Sequence, residues 1–188
     1  MSRHLVLSFR FLSPWFHGRS GEGTPEWPPS PLRAFQALVA AAARAGTLES
    51  TRGALSWLER CPAPLIIAPE AVESAVGYRL SVPHNAMDLV AKQWSRGDEG
   101  TPSEHRAMKN VRPHRLPEAA VVHYAWQLDE DASAAPALIA AARGVVALGW
   151  GVDLVVGDGA VVDAERLAEL SGELKVWEPR SDGRRLLR

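Results

Sequence analysis

Residues able to move a proton or hold a phosphate are thinly scattered along this chain, and one of them is set apart by its neighbours. His17 lies in SPWFHGRSGEG, flanked by Trp15, Phe16 and Arg19. A histidine titrates near neutral pH, and an arginine presents planar paired donors that fit a phosphate. Such a pair suits metal-free cleavage of RNA, in which a 2′-OH loses a proton and a leaving 5′-oxygen gains one. Three readings of His17 stay open at this point: an acid–base group, a contact to RNA, or a solvent-facing side chain. The glycine-rich loop around it offers no evident third group to orient the imidazole. An unpositioned histidine forfeits most of the advantage of held geometry.

A second set of candidates lies between Gly77 and Pro117. This stretch holds seven Lys/Arg against four Asp/Glu, a net of +3, while the remaining 14 basic and 18 acidic residues leave the rest of the chain at −4. Lys92, Trp94, Arg96, His105, Arg106, Lys109, Arg112, His114 and Arg115 mix cations with a flat aromatic. Phosphates need cations and unstacked bases need flat partners, so the mixture suits single-stranded RNA. The alternative is a solvated charged loop, partly neutralised by Asp88, Asp98, Glu99 and Glu104. Of the 21 cationic residues 18 are Arg, which favours bidentate phosphate contacts and stacking.

Other chemistries find less support. GDG at 157–159 lacks the Lys–Ser/Thr and following helix of a phosphate-binding loop. LGWGVDLVV is glycine-rich but follows a helix rather than a strand, so it is not a dinucleotide fingerprint. Gly149 and Gly151 read either as a helix cap and turn or as a close approach of backbone to a ligand phosphate. His84, His105 and His114 show no metal-ligand spacing, and His123 reads as a packed or surface histidine. Cys61 is the single cysteine, so neither an intrachain disulfide nor a cysteine zinc site is available. No metal and no cofactor is expected. The opening MSRHLVLSFRF alternates instead of forming a continuous apolar block, and no apolar run nears the ~18 residues of a membrane span. These features predict a soluble cytoplasmic protein.

The elements that must position these residues follow from periodicity. Leu5, Leu7, Phe9 and Phe11 alternate as a strand. A loop from Pro14 to Pro29 leads to a helix with Ser30 as cap and Pro31 in its first turn. Leu32, Phe35, Leu38, Val39 and Ala42 share its apolar face, and Gly46 stops it. Residues 50–60 predict a short helix with Leu55 and Leu58 inward. Leu65–Ala68 and Tyr78–Val82 predict strands, and 84–117 shows no sustained periodicity. Val122, Tyr124, Trp126 and Leu128 alternate as a strand. A helix opens at Pro136, runs through Val146 and is ended by GWG. Val152–Val156 predicts a strand that GDG turns into a hairpin with Val161 and Val162. A short helix near 165–170 and a strand over 174–177 close the chain. The order β-α-β-β-α-β is the ferredoxin-like arrangement, an α+β fold, with a long basic insertion at 84–117. Length favours one domain over 1–188.

One stretch needs more than helix chemistry. In TPEWPPSPLRAFQALVAAAARAG, residues 24–46, a tryptophan stands among prolines ahead of the helix. Trp27 either staples the loop to the core or lends a stiff surface loop a functional shape. The run FLSPWFHGRS…PEWPPSPLRAFQALVAA resembles the start of the fusion subunit of type I-G (formerly I-U) CRISPR effectors. YRLSVPHNAMD, KNVRPHRLP and VWEPRSDGRRLLR resemble later blocks of that family in the same order.

The resemblance implies a RAMP protein, a ferredoxin-like CRISPR RNA binder. Its first half resembles the subunit that holds the 5′ handle of CRISPR RNA and caps the backbone filament, and its second half resembles the endonuclease that processes precursor RNA. Residues 172–188 are then the start of a linker to a second such domain. The expectation for this chain is binding without chemistry of its own. Arg106, Lys109, Arg112 and Arg115 would contact phosphates, with His114 beside them. Trp94 and Tyr78 would stack on bases, Lys92 would add charge, and Arg19 with Trp27 would shape the handle pocket. The implied partners are CRISPR RNA, the backbone and large Cascade subunits, and target DNA through the complex, with no membrane. Two alternatives stand beside this: a metal-independent endoribonuclease using His17, and a subunit that docks its neighbours without RNA specificity.

Overall fold

A computed structural model describes residues 2–21, 23–83, 106–128, 132–172 and 174–179, without the side chains of Pro83 and Arg106. The predicted first strand is β1 (Arg3–Phe11), followed by the two-residue β2 (Trp15–Phe16). Helices α1 (Pro31–Arg44) and α2 (Leu48–Arg60) come next, then β3 (Leu65–Ala68) and β4 (Val72–Glu73). β5 (Tyr78–Pro83) and β6 (Arg106–Val111) pair with each other, and β7 (His114–Arg115) and β8 (Val121–Leu128) follow. The chain continues with α3 (Ala135–Arg143), β9 (Val155–Asp163), α4 (Ala164–Ser171) and β10 (Lys175–Trp177).

The main sheet is antiparallel and five-stranded, ordered β10-β3-β8-β1-β9. β1 lies between β8 and β9, and its apolar residues are covered. Leu5, Leu7 and Phe9 are fully buried, and Phe11 nearly so, on the side packed by α1, α2 and α3. Tyr124 of β8 meets Phe9 edge-on at 5.9 Å, and its hydroxyl donates to the carbonyl of Pro29 at 2.8 Å. Burial pushes that phenol far above its ordinary value, so it stays neutral. A smaller cluster of Val6, Ile67, Ala125 and Leu167 fills the opposite face under α4. No helix among the described residues is long and apolar enough to cross a membrane.

The structure corrects several sequence expectations. GDG does not turn: β9 runs straight through Gly157 to Gly159, paired with Phe9 and Leu7 of β1. A Cβ at Gly157 would sit 2.1 Å from the carbonyl oxygen of Ala142, and one at Gly159 would sit 2.8 Å from Leu7. These glycines let α3 press onto the strand. Helix α3 stops at Arg143, with Gly144 as its cap and not GWG. The Ser30 side chain makes no capping bond; its N–H instead donates to Glu26 Oε1 at 2.6 Å. Gly46 does follow the end of α1, at φ +70°. The 84–117 stretch shows no sustained periodicity, yet its last part forms β6 and β7, while 84–105 lie outside the described residues. Arg106–Val111 hides its strand character because a two-stranded arm needs no continuous apolar face.

His123 of β8 shares a hydrogen bond with Ser8 of β1, Nδ1 to Oγ at 2.7 Å. Burial lowers the pKa of His123, and burial outweighs the opposing pull of Glu73 in lowering that of His114. The folded protein thus resists protons that the unfolded chain accepts. The resulting stability is present above the ordinary histidine value of ~6.5 and is lost as pH falls from there through the lowered folded values. Tm should therefore drop between pH 7.5 and 5.5, and His123→Gln should flatten the drop. An equal slope in the variant would show that His123 is not among the groups responsible.

Candidate RNA-contacting site

The loop after β1 buries its histidine. Phe16 is fully buried and His17 is 6 % exposed, held beneath the segment that joins α3 to β9. That segment folds back on itself. Leu148 N–H donates to the Asp153 carbonyl at 3.0 Å, and Asp153 N–H donates to the Trp150 carbonyl at 2.9 Å. Gly149 adopts φ +121°, where a Cβ would lie 2.8 Å from both Asp153 Oδ2 and the Phe16 ring. The glycine is therefore required for the loop to close over Phe16 and aim Asp153 inward. It is not placed there merely to end a helix.

Asp153 is fully buried and faces three donors. His17 N–H reaches Oδ1 at 3.0 Å, His17 Nδ1 reaches the same oxygen at 2.6 Å, and Trp150 N–H reaches Oδ2 at 2.9 Å. A carboxylate only accepts, so the Nδ1 proton of His17 is assigned by this partner. Nε2 shares a hydrogen bond with the hydroxyl of Tyr78 at the start of β5, and in the tautomer protonated only on Nδ1 it accepts the phenol proton. Trp150 stacks over the imidazole with centroids 6.3 Å apart, and the Tyr78 ring meets it edge-on at 5.9 Å. Desolvation, with help from the Asp153 charge, raises the Tyr78 pKa, so the phenol keeps its proton at neutral pH. The expected lack of an orienting group for His17 is thus overturned: Asp153, distant in sequence, supplies it.

Other predicted site residues gather nearby. The Arg19 guanidinium donates to the Asn110 carbonyl of β6, one residue from Val111, the partner of Tyr78 in the arm. The carbonyl of Arg19 accepts from Arg33, which also donates to Glu26 Oε2 at 2.8 Å. Lys109 is exposed and opposite Leu80, on the same face of the arm as Tyr78; Arg112 is exposed just beyond β6. Arg106 pairs with Pro83 in the arm register. Lys92 and Trp94 lie outside the described residues.

Trp27 and His114 form a separate group. Trp27 packs against Phe11 at 5.8 Å and Phe16 at 5.6 Å, and its Nε1 donates to the Pro69 carbonyl at 2.9 Å. His114 lies 6.4 Å from it, paired with Phe16 and Glu73 in the short second sheet. These contacts make Trp27 a staple between the loop and the core. Arg115 is exposed, opposite Trp15 and Val72, and lines a shallow groove with Leu12, Pro14 and Glu118. Among the described residues no three His, Cys, Asp or Glu stand close enough to hold a metal ion.

Sequence reasoning missed Asp153 and Trp150. A signal was present: an aspartate in the apolar run GVDLVV, two positions after a glycine, is expensive to bury unless something donates to it.

Asp153→Asn keeps the shape but turns one acceptor into a donor, so at least one of its three buried partners loses its bond. It should cost about 2 kcal/mol in denaturant unfolding with an unchanged slope m. Tyr78→Phe leaves Nε2 of the buried His17 without this partner and should cost about 1 kcal/mol. A neutral Asp153→Asn would show that the carboxylate does not organise the site.

Residues 9–188 match the family model described as CRISPR-associated protein, GSU0054 family. Among solved structures, a CRISPR protein from Archaeoglobus fulgidus is similar at 14% identity and a TM-score of 0.43, over 86% of this chain and 64% of that one. This chain thus spans 64% of the length of that protein. No curated protein matches the sequence. With a family match that runs from the middle of β1 to Arg188, the chain belongs to the CRISPR-associated GSU0054 family.

Proposed function

We propose that this chain is the CRISPR RNA 5′-handle-binding subunit of a type I-G Cascade, the first RAMP half of the fusion subunit, capping the backbone filament. The observation that carries the reading is the β5–β6 arm, which among the described residues pairs only with itself and presents Arg79, Lys109 and, just past it, Arg112 to solvent. A family known by its CRISPR association gives that arm an RNA context. The chain order β1-α1-β3-β8-α3-β9 with sheet order β9-β1-β8-β3 supports the ferredoxin-like reading, β10 being an addition at the β3 edge. In this role the protein acts in the cytoplasm, beside backbone and large subunits, and meets target DNA through the complex. It positions RNA and performs no chemistry of its own.

Replacing Arg106, Lys109, Arg112 and Arg115 together by Ala should weaken RNA binding with little change in Tm. If about four phosphates are neutralised, the log–log salt dependence on single-stranded RNA should flatten by about 3 units. An unchanged affinity and slope would refute the assignment of the arm.

A second reading, metal-independent endoribonuclease, is favoured by one observation: His17 is held by Asp153 as a catalytic histidine would be. Against it, Tyr78 already occupies Nε2 and the imidazole is buried. With labelled precursor RNA in EDTA the handle-binding reading predicts no cleavage. Specific cleavage at the repeat that disappears in His17→Ala would promote the enzyme reading in its place.

A further inference from the structure

We propose that Tyr78 reads a ribose 2′-hydroxyl of the bound RNA, so that the Asp153–His17–Tyr78 chain tells RNA from DNA. The inference rests on the RNA-binding reading above and adds which group of the nucleotide is recognised at the base of the arm.

The chemistry follows from the direction of the hydrogen bonds. Asp153 is fully buried and accepts from His17 N–H, His17 Nδ1 and Trp150 N–H. That partner places a proton on Nδ1 of His17, and in the tautomer that carries only this proton Nε2 is an acceptor. Tyr78 has one hydroxyl proton, and Nε2 takes it. With that proton committed, the phenolic oxygen has only its lone pairs to offer a further partner. Raised above its ordinary pKa by desolvation and by Asp153, the phenol does not ionise at neutral pH, so this polarity is stable. Donation to an imidazole that is itself bonded to a carboxylate leaves the oxygen electron-rich and a better acceptor.

An acceptor without a proton to offer selects a donor. Along a nucleic-acid strand the phosphates and ring oxygens are acceptors, base amino and imino groups donate in RNA and DNA alike, and the sugar group that donates is the 2′-OH, which DNA lacks. The placement suits a sugar. Tyr78 is 43 % exposed, with Lys109 on the same face of the arm and the Arg19 guanidinium anchored on β6 one residue from its strand partner. Cations of this kind hold the phosphates on either side of a ribose. The Nε of Arg19 is buried and has no partner among the described residues.

The test is fluorescence anisotropy with the full chain and a labelled RNA of the CRISPR repeat from the source genome. It is run as RNA, as DNA of the same sequence, and as RNAs with a single 2′-deoxy substitution at each position in turn. The wild type should prefer RNA, and one deoxy position should cost about three- to tenfold in Kd. Tyr78→Phe, which keeps the ring for stacking and lies at the surface, should bind RNA that much more weakly. It should bind DNA as the wild type does, and it should be indifferent to the deoxy substitution at that position. Deoxy penalties that persist unchanged in Tyr78→Phe would overturn the ribose assignment, as would a wild type that binds RNA with no deoxy penalty anywhere; both leave the handle-binding reading standing. A wild type that binds neither RNA nor DNA would overturn both.

Discussion

The carboxylate of Asp153 is the constraint on which the rest of the site depends. A buried charge without partners is costly, and this one is held by donors from two distant parts of the chain. To satisfy it, the 148–153 segment must curl over Phe16, which requires glycine at 149. The loop after β1 must also run inward far enough for His17 to meet it with both its N–H and its ring. The fixed imidazole then sets the hydrogen bond of Tyr78, and so fixes where the β5–β6 arm leaves the body of the protein. Arg19 adds a second tie, from the same loop to β6.

The fold beneath is a conventional means to that end. β1 supplies fully buried residues to the core of the sheet, and the loop that carries His17 is its direct continuation. Trp27 stiffens the far end of the same loop, between Phe11, Phe16 and the Pro69 carbonyl. The prolines around it thus serve the core first. Any contribution of this segment to an RNA pocket acts through the shape it imposes on the loop.

What the sequence made legible was whatever depends on near neighbours. The alternation of Leu5 to Phe11 and of Val122 to Leu128, the apolar face of α1 and the stop at Gly46 all follow from local sterics and burial. The errors share one cause. Gly157 and Gly159 read as a turn because only their flexibility is local; the approach of Ala142 and Leu7 that demands them is tertiary. β6 went unseen because the pattern of a strand solvated on both faces is weak. His17 was noticed for its type and neighbours, but its orienting partner stands 136 positions away. Spacing along the chain could not reveal that pairing; only the cost of burying an aspartate in GVDLVV hinted at it.

Charge and polarity meet at the base of the arm in this account: the Tyr78 phenol and Lys109 on one face of it, Arg79 on the other, and the buried Asp153–His17 pair behind them. Its central claim is that RNA lies across the base of that arm. The most direct measurement is photocrosslinking of the full chain to repeat RNA carrying 4-thiouridine, with the attached peptides identified by mass spectrometry. The account predicts cross-links within residues 78–82 and 107–115. Cross-links confined to other surfaces, such as the exposed edge of β9 at Val155–Asp163, would contradict it.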